Sequence, residues 1–495
     1  MRPATREFRV AGLFVFAPFR HCPVTDQVGV LRTIVITMRQ LFEQLIAAIW
    51  NRLHRRGRGE WPERKSLNLG FRVADGQVTE RQFGLSTIDR TKHVMLLGVT
   101  GSGKSSLLRL MAQADLMANR GFAFFALHGD DVPFLLSTIN ARERRERRHL
   151  DEKLLLIDPA DPIVSIGLNP LESESPDFGG IAEFAQVLKW RWHLDHFGAR
   201  TDELLRNALY VLSACGLTLV ELALLLTHKG FRASCLKRIE NAEVREYFQL
   251  RYDQLSDAMR ATMREPILNK TSAFTADPRF RSIVGQKHST FSILEAMDEG
   301  CWIILDLNKG RLGEQALTLG SLFFTMLKNA VFARAKRSLF TIYADEVQNF
   351  VSYDSGIETL LSESRKFGVG LAGGHQFLEQ VSGETRAAMA AVGTHIYFQL
   401  SPNDAFQVSQ ALDGGKGMAE RLKNLRQRHC IVKSGSQRWT EIRVPTLEYS
   451  KVDYTDLLNR ARYQRGRVRA HIERDIAKRH AELLREPKEA LNEWE

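Results

Sequence analysis

The eight residues Gly98-Val99-Thr100-Gly101-Ser102-Gly103-Lys104-Ser105 constrain this chain more than any others. They follow the apolar run Val94-Met95-Leu96-Leu97 and precede the helix-like run Ser106-Leu107-Leu108-Arg109-Leu110-Met111. Strand, glycine-rich loop and helix in that order build a phosphate cradle. The loop's backbone N–H groups and the helix N-terminus face phosphate oxygens. The pattern predicts a nucleoside triphosphate site, with ATP the default, formed by Gly98, Thr100, Gly101, Ser102, Gly103, Lys104, Ser105 and Ser106. Lys104 is expected to reach the β- and γ-phosphates, and the Ser105 hydroxyl to ligate Mg²⁺.

Such a loop needs a sheet behind it. Apolar runs at His93–Leu97, Gly121–Leu127, Lys153–Ile157, Cys301–Leu307, Leu339–Ala344, Val369–Gly373 and Thr394–Leu400 read as buried strands. Helical patterns separate most of them. The expected fold is therefore α/β, a RecA/FtsK-like P-loop core with a mostly parallel sheet covered on both faces. Between about Pro170 and Phe291 the pattern is helical throughout, too long for one crossover, and reads as an all-α insertion entered through the Ser173–Gly180 joint. The expected layout is a basic N-terminal region over 1–85 and a first core segment over 86–170. The insertion then covers 171–290, a second core segment 291–450, and a basic helical tail 451–495. Residues 429–433 and 439–444 are expected to pair as a hairpin.

The formal net charge is +11, the balance of a protein that meets phosphate backbones or an anionic membrane surface. Arg460, Arg462, Arg465, Arg467 and Arg469 crowd the tail, either as a solvated helix face or as a nucleic-acid contact. Arg142–Arg148 is interleaved with Glu143 and Glu146 and is expected to pair locally. The five cysteines are dispersed with no C-x-x-C pair, which suggests neither a disulfide framework nor a zinc site and suits a reducing cytoplasm. Val28 to Trp50 carries apolar residues at helical spacing but also Arg32, Arg39 and Glu43. It reads as an amphipathic helix, with peripheral inner-membrane contact left open by the basic flank Arg52 to Arg58.

A second half of the site is legible at Leu339-Phe340-Thr341-Ile342-Tyr343-Ala344-Asp345-Glu346, an apolar strand ending in two carboxylates. Asp345 is expected in the Mg²⁺ shell and Glu346 as the base that polarises the attacking water. Gln376 follows the next strand, where it can sense the γ-phosphate. Arg365 lies at a helix end before that strand, placed to enter a neighbouring subunit's site.

The order of these motifs resembles the FtsK–HerA superfamily of ring-forming DNA motors, and within it the conjugative coupling ATPases (TraD/TraG type) of type IV secretion. The matching residues are Arg90-Thr91-Lys92-His93, Ile166-Gly167-Leu168-Asn169-Pro170-Leu171, Asp345-Glu346, and Arg365 and Gln376 at the intervals of the family's arginine finger and glutamine motif. The likeness runs from about Gly70 to about Leu412. It implies a DNA-stimulated ATPase, the motor of conjugative transfer, closed into a hexamer around non-specifically bound DNA, with relaxase or secretion-channel proteins as partners. Two other readings stay open: an ATP-binding recruitment hub for secreted proteins, and a HerA-like motor serving a nuclease. Relatives often show Asp-Pro-His-Gly-Asp after the second strand; here Ala126-Leu127 precedes His128-Gly129-Asp130. Trp190-Arg191-Trp192-His193-Leu194-Asp195-His196 is read as packing rather than a metal site, and Gly414-Gly415-Lys416-Gly417 as a flexible turn.

Overall fold

The computed structural model describes residues 66–173, 178–351, 356–380, 383–447 and 452–484. The amphipathic segment expected at Val28 to Trp50, with its basic flank, lies outside these residues, as does part of the Ser173–Gly180 joint.

Strands β1 (Leu67–Ala74), β2 (Gln77–Leu85), β3 (Val94–Leu97), β4 (Phe122–Ala126), β5 (Leu154–Ile157), β7 (Trp302–Asp306), β8 (Phe340–Ala344), β9 (Val369–His375), β10 (Thr394–Tyr397), β11 (His429–Ser434) and β12 (Thr440–Arg443) form one sheet. Two short strands, β6 (Val164–Ser165) and β13 (Arg467–Val468), pair separately. The sheet order is β2-β1-β12-β11-β10-β3-β9-β8-β4-β7-β5. From β10 to β5 every neighbouring pair is parallel; from β10 back to β2 every pair is antiparallel.

The apolar runs are continuous because both faces are covered, and alternate side chains feed two cores. Phe122, Phe124, Trp302, Ile304 and Tyr343 pack on one face with Leu107, Leu108 and Met111 of the helix Lys104–Met117. Ala123, Phe125, Ile303, Leu305 and Ile342 pack on the other with Leu319, Phe323 and Phe324 of Gln315–Ala333. That helix is long and apolar enough to cross a membrane, but it is a core element, mostly buried against the sheet.

Sheet residues also occur inside the span expected as a separate N-terminal region. The hairpin β1–β2 extends the sheet by pairing with β12. β2 shows only Phe83 and Leu85 as fully buried side chains among polar ones, too weak an alternation to announce a strand. Gly415–Lys423 is a helix, not a turn, because Met418 and Leu422 are drawn into a small core with Ile431.

From Phe178–Arg191 to Pro278–Val284 every described element is helical. This insertion is pinned where it leaves and rejoins the sheet. Leu168 N donates to Ile283 O at 3.0 Å, and Thr290 N to Gly167 O at 3.0 Å. Asn169 Nδ2 donates to Lys287 O at 2.9 Å and Leu217 O at 3.3 Å.

The tail is two helices, Thr455–Arg465 and Arg469–Leu483, broken at Gly466. Arg460, Arg462, Arg467 and Arg469 are paired within the fold and do not form a free basic patch. Arg460 bonds Glu143 at 2.7 Å and Asp151 at 3.0 Å, and Arg462 lies in an ion pair 2.5 Å from Asp161. Arg467 pairs with Asp475 at 2.6 Å. Arg469 donates to the carbonyls of Pro159, Asp161 and Pro278 and to Ser282 Oγ. Further along, Arg479 reaches the fully buried Glu221 at 2.8 Å, and His480 reaches it at 2.9 Å. The tail straps the insertion to the edge of the core.

Candidate nucleotide-binding and hydrolysis site

The loop after β3 is held from outside as well as by its own turns. Val99 N donates to Gln399 O at 2.9 Å, Arg428 N to Ser102 O at 2.8 Å, and Gln427 Nε2 to Gly101 O at 3.1 Å. Gly101 (φ 76°) and Gly103 (φ 122°) adopt backbone conformations that side chains disfavour. A Cβ at Gly98 would stand 2.7 Å from Phe398 Cβ. No side chain caps the helix that starts at Lys104, so its first-turn N–H groups face the loop's concavity. Lys104 is buried and its Nζ donates to Gly98 O at 2.6 Å and Val99 O at 3.2 Å. Burial holds its pKa below the usual lysine value, opposed by the charges of Asp345 and Glu346.

Asp345 and Glu346 leave the carboxyl end of β8, two places from β3 in the sheet. Asp345 Oδ2 accepts a short hydrogen bond from Ser105 Oγ. Its other oxygen accepts from Glu346 N at 3.1 Å and fits against Gly374, where an added Cβ would come within 2.6 Å of it. Glu346 has φ 51°, a strained conformation for a side chain of its size. That geometry turns its carboxylate toward Gln376. Gln376 Nε2 donates to Glu346 Oε1 at 2.6 Å, Thr100 Oγ1 donates to Gln376 Oε1 at 3.2 Å, and Asn349 Nδ2 donates to Glu346 Oε2 at 3.0 Å. A hydroxyl, an amide and a carboxylate are thus linked across the ends of β3, β9 and β8.

Of the expected site residues, the structure brings together Gly98, Thr100, Gly101, Ser102, Gly103, Lys104, Ser105, Asp345, Glu346 and Gln376. Ser106 is half-buried on the first helical turn, with no side-chain hydrogen bond among the described residues. Arg365 stands apart. It precedes β9, so it lies at the amino edge of the parallel strands, opposite the loop. It is exposed, and its guanidinium bonds no described residue. Within one chain it serves no P-loop.

Sequence reasoning missed several contributors. His128 Nε2 lies 3.8 Å from Asp345 Oδ2, which places the His-Gly-Asp remnant beside the carboxylate pair. Asn349, Gln427 and Arg428 are joined to the site only by the fold; Gly374 was visible as half of a Gly-Gly pair but its reason was not. Arg90, Asp115, Thr341 and Tyr343 form a buried polar network behind the sheet, with Arg90 bonded to Asp115 at 2.8 and 2.5 Å. That explains Arg90 as a brace, not a ligand.

The donor set suits Mg²⁺ with a nucleotide: a hydroxyl and a carboxylate oxygen already adjacent, beside a lysine and an uncapped helix start. One other grouping among the described residues has metal-ligand chemistry, Glu143, His149 and Asp151. Arg460 already bridges both of its carboxylates. Among the described residues, His193 and His196 join no such group.

No family model and no curated protein matches the sequence. Solved structures do. An unbound form of the bacterial conjugative coupling protein TrwBdeltaN70 aligns over 82% of this chain and 94% of its own, at 16% identity and TM-score 0.54. The plasmid coupling protein TrwB with ADP and Mg²⁺ aligns over 80% and 98%, at 15% identity and TM-score 0.55. VirB4 of Thermoanaerobacter pseudethanolicus aligns over 77% and 96%, at 13% identity and TM-score 0.51. The chain has the α/β P-loop fold of these proteins.

Proposed function

We propose that this chain is a Mg²⁺-dependent ATPase that moves DNA in a type IV secretion or conjugation system. The observation that carries the reading is the linked set Ser105–Asp345 and Thr100–Gln376–Glu346, which pairs a phosphate cradle with a positioned carboxylate. The fold it shares with TrwB, a coupling protein solved with ADP and Mg²⁺, supports the substrate class. The net charge of +11 supports a polyanionic partner.

In this mechanism Lys104 exchanges its loop carbonyls for β- and γ-phosphate oxygens, and the amides of the loop and first helical turn bind the rest. Ser105 and Asp345 would hold Mg²⁺, which would supply neutralisation of the charge on the phosphates. Glu346 orients and deprotonates the attacking water. Gln376 touches both Glu346 and Thr100, so loss of the γ-phosphate alters its hydrogen bonds and is passed to β9. Arg365 acts in the site of the next subunit of a ring, a hexamer by the family resemblance, because its own P-loop lies on the opposite edge. DNA is gripped through its backbone.

Steady-state ATP hydrolysis with and without single- and double-stranded DNA, across a salt series, tests the reading. Stimulation that fades with salt and disappears in Glu346→Gln and Arg365→Ala supports a multimeric DNA motor. Turnover indifferent to DNA refutes translocation and leaves a protein-recruiting ATPase. Full activity in Arg365→Ala removes the finger in trans.

A further inference from the structure

Two cysteines that play no part in the nucleotide site lie together in the helical insertion. Cys215 caps the helix Ala199–Ala214 and is half-buried; Cys235 is 4% exposed in Lys229–Leu236. Cys215 Sγ donates to the backbone carbonyl oxygen of Cys235 at 3.7 Å, which sets the two residues side by side. The remaining described cysteines are elsewhere: Cys301 precedes β7 and Cys430 lies in β11, both buried.

We infer that Cys215 and Cys235 form a covalent-modification site, closing into a reversible disulfide under oxidants of the peroxide class. The two positions are chemically unequal. Cys215 is the accessible thiol. The neighbouring Cys235 side chain holds it below the usual thiol pKa, and the charge of Arg238 acts in the same direction. The same contact, with burial, pushes Cys235 up. Cys215 is therefore the attacking sulfur and Cys235 the resolving one. In the first step the Cys215 thiolate attacks a peroxide oxygen: an S–O bond forms, the O–O bond breaks, and water leaves after protonation. In the second step Cys235 sulfur attacks the Cys215 sulfenic acid: the S–S bond forms, the S–O bond breaks, and a second water leaves. Two thiols lose two electrons and two protons, and one hydrogen peroxide becomes two waters.

The position gives the bond a consequence. The segment it closes carries the Thr218–Glu221 capping box, and Glu221 anchors Arg479 and His480 of the last helix. Oxidation fixes the anchor, and through it the strap.

The full-length protein is treated with hydrogen peroxide, the thiols are blocked by alkylation, and the digest is read by mass spectrometry. A peptide pair joining Cys215 to Cys235, two hydrogens lighter than its parts and released by dithiothreitol, is expected. Hydrogen exchange over residues 216–234 and 469–483 slows severalfold in the oxidised wild type and not in Cys215→Ser. Both cysteines remaining alkylatable after oxidation would overturn the inference. So would Cys215 accumulating as sulfinic acid without a link, or linking preferentially to another cysteine. A link with unchanged exchange at 469–483 would overturn the coupling to the strap.

Discussion

Gly374→Ala tests the metal side of the site without touching a ligand. The added Cβ would stand 2.6 Å from Asp345 Oδ1, where ordinary contacts begin at 3.4 Å. Asp345 is 4% exposed and tied to Ser105 and the Glu346 amide, so the carboxylate cannot simply swing away. It must retreat by about 0.8 Å, and a misplacement of ~1 Å at a reacting centre costs roughly 10²-fold in rate. The expected loss in kcat is therefore about 10- to 100-fold, or ~1.4–2.7 kcal/mol of barrier. Gly374 sits in β9 with no left-handed backbone, so alanine is tolerated by the strand and the thermal midpoint should hold. Phosphate release measured across a Mg²⁺ titration reads the effect directly, and the half-saturating Mg²⁺ concentration should rise. Wild-type turnover with an unchanged Mg²⁺ dependence would refute the assignment of Asp345 to the metal.

Arg479→Met leaves the buried Glu221 with His480 and its Thr218 hydrogen bonds but without the arginine. Breaking such a pair costs about 3–5 kcal/mol, seen as a lower denaturation midpoint and faster exchange of Arg469–Leu483; unchanged exchange there would deny that the pair holds the strap. His93 is 2% exposed, and burial pushes its pKa down to about 4 while Leu371 N donates to its Nδ1 at 3.0 Å. The unfolded chain then binds a proton that the folded one refuses. Stability is full above about pH 6.5 and falls by roughly 3 kcal/mol as pH drops toward 4. His93→Asn keeps an acceptor and tolerates φ 69°, so it should flatten that acid slope in denaturant titrations; an unaltered slope would assign it to other groups.

What the sequence disclosed was what is local. The phosphate loop, its strand and its helix are contiguous, and the buried strands announce themselves because β4, β7 and β8 are apolar on both faces. Asp345-Glu346 was legible for the same reason, as the polar end of an apolar run. The hairpin β1–β2 was not, since most of β2 faces solvent and its partner β12 lies more than 350 residues along the chain. The contact between Gln376 and Glu346 needed two parallel strands to be neighbours, which spacing alone does not decide. The arginines of the tail were the plainest case of ambiguity. Their number suggested a polyanion, yet carboxylates and carbonyls of Asp161, Pro159 and Pro278 claim them, and nothing in the tail's own sequence names those partners.

The insertion leaves and rejoins the sheet through backbones that are hydrogen-bonded to each other, Leu168 to Ile283 and Gly167 to Thr290. Its two ends are therefore already as close as a short turn would bring them, and closing the gap in its absence carries little entropic cost. Such an arrangement is a cassette. Recombination can exchange the helical unit among chains of this fold while every strand keeps its place. The exchange has one condition, because the incoming unit meets a tail shaped for Glu221. An insertion lacking a carboxylate at that point would strand a buried guanidinium, so the tail acts as a key that admits some cassettes and rejects others.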